Sequence, residues 1–355
     1  MHPLSRAKVV DIANRLGFVK ALSPSDAILR YCEQRIRGFL DLCPDCSTPH
    51  ELLDVTAGML QAKFETIDSD HELEGIARKY CDRGERAFAN LANELFSTTY
   101  GVTFRLQHAA PHQPQFICVI DCRGDKKLRR YFTKWHELGH LLILSGDQRE
   151  FYRSHSAYEE KDPEEVLVDQ LASHFGFFPS FLAPELNHPL SIVEINRIRT
   201  KLFPDASLLA STNACVKHHP QPHLLVEAKM ALSERQQARR HQGSFDFFDG
   251  PELRLRAMTV VGNDAARAAK LNIPRTHRVP AGSVIYRVHH EGIHSLSSHE
   301  DLDSWESSDS RRLSPFPVHI EARQSFDSVL AIIRPHDSAI SGAKHTAKSG
   351  YTNDS

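Results

Sequence analysis

A chain of 355 residues with 41% apolar and 25% charged content has the composition of an ordinary soluble globular protein, with room for two or three domains. Its formal charge of −2 gives no overall attraction to nucleic acid or anionic membrane, and seven cysteines, an odd count in a long chain, argue against a disulfide framework. No apolar run approaches the ~20 residues needed to span a bilayer, and the start, Met1 to Arg6, lacks the apolar core of a signal peptide, so a cytoplasmic location is expected.

Residues 1–100 read as mainly helical. Ser23-Pro24-Ser25 precedes an amphipathic stretch through Leu40, a Cys/Pro-rich link follows, and helical patterns run from Pro49 to Phe64 and from Leu73 to Phe96. In the link, Cys43-Pro44-Asp45-Cys46 has the spacing of half a zinc site; Cys32, His50, Cys118 and Cys122 are conceivable partners for a second metal, and reduced thiols are the default. Strand signals at Thr103–Leu106 and Phe116–Ile120 place a small sheet beside the segment that follows. The basic run Lys126–Arg130 and the later one from Arg235 to Arg240 read as solvated helix faces.

Trp135-His136-Glu137-Leu138-Gly139-His140-Leu141-Leu142 is the most informative segment. On a helix, a four-residue spacing puts His136 and His140 one turn apart on one face, close enough to grip a single metal ion, and leaves Glu137 free to handle the proton of a bound water. Two imidazoles suit zinc, which keeps an open position for water in catalytic sites. With 22 histidines in the chain, HExxH arises by chance in roughly one such sequence in ten, so context must carry the reading. Leu138, Leu141, Leu142 and Leu144 with no Pro supply an apolar helix, and Gly139, which costs about 1 kcal/mol in a helix interior, implies a close contact there.

A third ligand is required from another element. Pro163 opens a second helix with an acidic first turn and an apolar stripe of Val166, Leu167, Leu171, Ala172 and Phe175. Glu165 and Asp169 lie four apart on it. One can reach the metal while the other orients a metal-bound imidazole; for either acid alone, a solvated first-turn carboxylate is the plain alternative. Between the two segments, His155 and Tyr158 are candidate donors to the oxyanion that hydrolysis would create, and ordinary loop residues otherwise.

The segment Trp135 to Leu142, then Glu165-Val-Leu-Val-Asp169-Gln-Leu-Ala-Ser173 and an apolar run ending at Pro179, resembles the ImmA/IrrE family of zinc metallopeptidases over about residues 50–215. The resemblance implies a zincin-like domain with one zinc per chain, held by His136, His140 and Glu165, with Glu137 as catalytic base and Asp169 at the family's Asn/Asp position. Val168 departs from the usual Ala, and His174, Gly176 and three Phe interrupt the apolar run; neither departure touches a ligand.

Downstream, Ser191–Leu202 and Ala206–Lys217 read as two helices broken by Phe203-Pro204-Asp205, a possible helix-turn-helix without base-reading polar residues on its second helix. From Phe245 the pattern turns β-rich at Arg256–Val261, Thr276–Val279, Ser283–Val288, Val318–Ala322 and Val329–Arg334, with a helical turn at Asp264–Leu271. The Ser/Asp/Glu-rich stretch His294–Pro317 reads as a mobile loop and Ile340–Ser355 as a disordered tail. The expected class is α+β: a metallopeptidase domain over 1–188, a helical region over 189–242, and an α+β domain over 243–335 placed as the GAF-type sensor domain of some family members is. Residues 336–355 form the tail. The expected function is a cytoplasmic zinc endopeptidase that cleaves a specific regulatory protein, such as a helix-turn-helix repressor, in a stress or mobile-element response. The alternative is a regulatory ligand- or DNA-binding protein with a structural or vestigial metal. Glu137 separates the two, because a structural site needs no uncoordinated acid beside the metal.

Overall fold

Helix starts follow caps written in the sequence. Thr48 Oγ1 accepts from the Glu51 N–H at 3.2 Å while the Glu51 carboxylate accepts from the Thr48 N–H at 3.0 Å, a reciprocal capping box that opens helix α3, Pro49–Met59. The computed structural model describes residues 3–96, 98–144, 151–155, 162–233, 236–237, 253–306 and 311–336. Among these, no helix is long and apolar enough to cross a membrane. The architecture is mixed α and β in two compact units, one of residues 1–182 with 199–207 and one of 183–198 with 208 onward.

In the first unit, α1 (Pro3–Arg15) and α2 (Pro24–Leu42) precede α3, and a four-stranded sheet follows in the order β1-β3-β2-β4: β1 Ala62–Ile67, β2 Thr99–Arg105, β3 Phe116–Asp121 and β4 Phe151–His155. β1 runs parallel to β3, whereas β2 is antiparallel to both of its neighbours. Every residue of β3 is buried, so both sheet faces are covered. Val102, Phe104, Ile117 and Val119 point to one side, into a core with Ile76, Tyr80 and Phe88, the first two from helix α4 (Asp70–Cys81). The period-2 alternation therefore turns Gly101, Thr103 and Cys118 to the other side, where α6 (Arg130–Leu142), the motif helix, contacts β2 and β3.

Two expectations change here. The helical pattern from Pro49 to Phe64 ends at Met59, and β1 follows; only Ala62 and Ile67 of that strand are buried, so its alternation is faint. The pattern from Leu73 to Phe96 breaks after Cys81, where Gly84 adopts φ 88°, and resumes as short turns before α5 (Leu91–Glu94). The basic run beside the motif is not simply solvated. Lys126 Nζ donates to the buried Asp121 carboxylate at 2.6 Å and to the Thr99 carbonyl at 2.8 Å, and Arg130 donates to Asp205 at 2.9 Å, fixing the entry to α6.

Helix α7, Pro163–Gly176, packs antiparallel on α6: Tyr131 donates to the Gly176 carbonyl at 2.6 Å at one end, and His140 meets Glu164 at the other. Gly139 is the point of closest approach, since a Cβ there would stand 2.9 Å from Val168 Cγ1. The close contact inferred from the motif glycine is thus with Val168. Val168 is fully buried and β-branched, so it cannot swing away. Gly139→Ala is expected to destabilise the protein by about 1–3 kcal/mol through overpacking, despite alanine's better helix propensity. Val168→Ala in the same chain should recover most of that loss. Denaturant unfolding of both variants measures it; a neutral Gly139→Ala would contradict the contact.

The second unit holds a five-stranded antiparallel sheet in the order β6-β5-β9-β8-β7: β5 Leu224–Ala231, β6 Arg254–Gly262, β7 Ser295–Asp301, β8 Pro317–Ser325 and β9 Ser328–Pro335. Alternate residues Val226, Ala228, Ile320, Ala322, Ala331 and Ile333 face a core completed by Val284, Ile285 and Val288 of a helix, Val284–Glu291. The helices Ile192–Leu202 and Leu208–His218 stand where the sequence placed them, and the second turns Ala214, Cys215 and Val216 inward and contacts β5 and β6.

Four further expectations change. The helical region over 189–242 contains β5, which lies between β6 and β9 and so belongs to the sheet expected only from 243 onward. Ser283–Val288 is helical: Ser283 caps it through the Ile285 N–H and Gly292 ends it at φ 66°, so caps outweigh β-branched composition. His294–Pro317 contains β7, an edge strand whose mostly polar residues alternate between exposed and half-buried up to Glu300, which hid it as a loop. Thr276–Val279 contributes only an isolated bridge at Arg278. The tail Ile340–Ser355 lies outside the described residues.

Candidate metal centre

His136, Glu137 and His140 are carried by α6, and all three are buried. The Arg35 guanidinium donates to the Leu142 carbonyl at 2.7 Å, a cation at the negative end of this helix. Across from them, Asp162 caps the start of α7; its carboxylate accepts from the Glu164 N–H at 3.0 Å and is paired with Lys8. That cap places Glu164 and Glu165 in the first turn, where the helix dipole favours their anionic forms.

The antiparallel packing brings these groups together. His136 Nε2 lies 3.1 Å and His140 Nε2 3.4 Å from the two oxygens of Glu165. The donor atoms of His136, His140 and Glu165 all lie within 4.8 Å of one another, so the group could hold a metal ion. It is the one group of three or more such residues among those described, and Cys43 and Cys46, both half-buried free thiols, do not form another. Each imidazole turns its other nitrogen to a carboxylate: His136 Nδ1 is 2.9 Å from Asp169 Oδ1, and His140 Nδ1 is 3.5 Å from Glu164 Oε1. Such contacts fix ring orientation and leave Nε2 for the metal. Of the two carboxylates whose order was open, Glu165 faces the convergence point and Asp169 stands behind His136.

The electrostatics also suit a cation. Glu137, Glu164, Glu165 and Asp169 surround two imidazoles, an excess of negative charge once both rings are neutral. Burial works against charge on His140, yet contact with Glu164 and Glu165 outweighs it and lifts its pKa to about 10. Burial likewise works against charge on Glu165, but the two imidazoles hold its carboxyl well below the usual carboxylate range. Since a metal needs the neutral ring and the surrounding carboxylates favour the protonated one, metal binding is expected to displace a proton from His140. Metal affinity is therefore expected to fall as pH falls, with proton release on binding. Calorimetry in buffers of different ionisation enthalpy checks this, and binding at pH 7 without proton release would contradict it.

Glu137 is 0% exposed. Thr103 Oγ1 donates to its Oε2 at 2.7 Å, whereas its Oε1 has no hydrogen-bond partner among the described residues. A Cβ on residue 101 would sit 2.7 Å from that Oε1, so Gly101 leaves room for this carboxylate beside the strand. Burial pushes the Glu137 carboxyl up, opposed by the nearby imidazoles. A raised carboxyl with one satisfied and one open oxygen is a group able to take and return a proton.

His155 ends β4, its backbone opposite Thr99, and Tyr158 lies outside the described residues. Thr103, Gly101 and Glu164 were missed. Glu164 had a readable signal, a second acid beside Glu165 at a capped helix start. Thr103 lay within an expected strand, but its facing depends on pairing with Cys118, which sequence alone does not reveal. Asp169→Ala and Glu164→Gln are each expected to weaken metal binding by about 10–100-fold without abolishing it. Affinity measured by chelator competition tests this, and an unchanged constant for either would remove that residue from the set. No protein-family model matches the chain, and no curated protein matches it.

Proposed function

We propose that the chain is a zinc-dependent endopeptidase of the ImmA/IrrE kind. It would cleave a specific regulatory protein, such as a helix-turn-helix repressor, in a stress or mobile-element response. The observation that carries this is Glu137, a buried acid beside the metal group that is not among its ligands and keeps one oxygen open. A metal held only for stability needs no such acid. His136, His140 and Glu165 would hold the zinc, and Asp169 and Glu164 would hold the rings in place. A zinc ion bound there supplies a water acidic enough to ionise near neutral pH and polarises the substrate carbonyl. Glu137 would take the water's proton on Oε1 while Thr103 steadies Oε2, and would return that proton to the departing amine nitrogen.

The β-rich second unit supports a regulatory reading in a simpler way. An antiparallel sheet with a helix on one face suits a GAF-type sensor that would govern when cleavage occurs. The test is incubation of zinc-loaded protein with a proteome-derived peptide library. Discrete cleavage that disappears on chelation and returns with zinc supports the proposal; a fully loaded protein that cuts nothing favours the binding-protein alternative.

A further inference from the structure

The second unit has a cleft of about 450 Å3, within the range of small-molecule sites. Its walls are Leu224, Val260, Leu271, Ile273 and Pro274, where β5 and β6 meet the segment after helix Asp264–Ala268. The chemistry changes at its rim. Arg267, Lys270 and Arg275 line the cleft and are exposed, and among the described residues the acid paired with them is Asp264, on Arg267.

The wall is built rigidly. Leu271 and Ile273 are about 1% exposed and act as anchors, and the Leu271 N–H donates to the Ala266 carbonyl at 2.9 Å. The far end is tied to the sheet: the Thr276 N–H donates to the Ala257 carbonyl at 2.8 Å and Arg275 Nε to the Met258 carbonyl at 3.0 Å. Asn263 holds the near end, accepting from the Ala266 N–H at 2.7 Å and donating to the His219 carbonyl at 2.8 Å. The wall segment is also bracketed by two non-glycine residues in the left-handed region, Lys270 at φ 58° and Thr276 at φ 66°. A β-branched residue there is an outlier, and backbone strain of this kind gathers at ligand clamps.

We propose that this cleft binds a small organic carboxylate with an apolar body. The aliphatic walls take the body, and the exposed cations hold the carboxylate at the mouth, where it stays partly hydrated. Among the described residues the walls carry no aromatic side chain on which a nucleobase could stack, which turns the choice away from nucleotides. The cleft shares no residue with the metal group, so its occupation and the peptidase reading succeed or fail separately.

The experiment is a titration of the full-length, zinc-loaded chain with octanoate, read by amide chemical shifts, with octan-1-ol as the uncharged counterpart. Expected are saturable octanoate shifts at residues 260–262 and 271–275. Octan-1-ol and the Lys270→Glu/Arg267→Glu double variant should each bind at least about tenfold more weakly. Val260→Trp, which fills the cleft, should abolish binding while leaving the metal content unchanged. Octanoate shifts confined to other surfaces, equal binding of the alcohol, or an affinity untouched by the charge reversals would each overturn the proposal.

Discussion

Glu137→Gln is expected to keep its fold and its metal while losing peptide hydrolysis by about two to four orders of magnitude. The amide has the shape of the carboxylate, and its oxygen can still accept the Thr103 hydroxyl now bonded at 2.7 Å. What disappears is the capacity to take a proton at the open oxygen. Because the residue is wholly buried and lies outside the group of donors, a drop in activity without a drop in zinc points to proton transfer. Single-turnover cleavage beside elemental analysis of the same preparation measures both quantities. Comparable hydrolysis by the variant would remove Glu137 as the base and, with it, the strongest reason to call the chain an enzyme.

His136→Ala and His140→Ala are each expected to lose essentially all of the metal, with about one zinc per chain expected in the wild type. Each ring contributes the nitrogen nearest Glu165, and removing either leaves one imidazole and a carboxylate, too few donors to compete with a chelator. The empty variants should stay folded, because the surrounding helix contacts, Trp135 on Phe175 and Tyr131 on Gly176, do not involve the metal. Full metal content in either variant would show that the ion sits elsewhere.

Much of this centre was legible in the sequence because its information is local. The spacing of His136 and His140 sets a helix face, and the Pro163 start with its acidic turn sets a second one. The facing of those helices needed only Gly139 to mark their closest approach. What stayed hidden depends on pairing between distant segments. Thr103 reaches Glu137 because β2 lies antiparallel to β3 in the register that sets Thr103 against Cys118. β5 was read as part of a helical region because its partners, Arg254–Gly262 and Ser328–Pro335, lie far down the chain. Ser283–Val288 misled in the opposite way, its Val and Ile content suggesting a strand where the Ser283 cap and Gly292 enforce a helix.

The central claim, that His136, His140 and Glu165 hold a zinc ion for hydrolysis, is tested most directly by zinc X-ray absorption on the purified chain. The account predicts a low-coordinate shell of nitrogen and oxygen at about 2.0–2.1 Å with imidazole scattering, lost in His140→Ala. A shell dominated by sulfur at about 2.3 Å, which would place the ion on Cys43 and Cys46 instead, would contradict it.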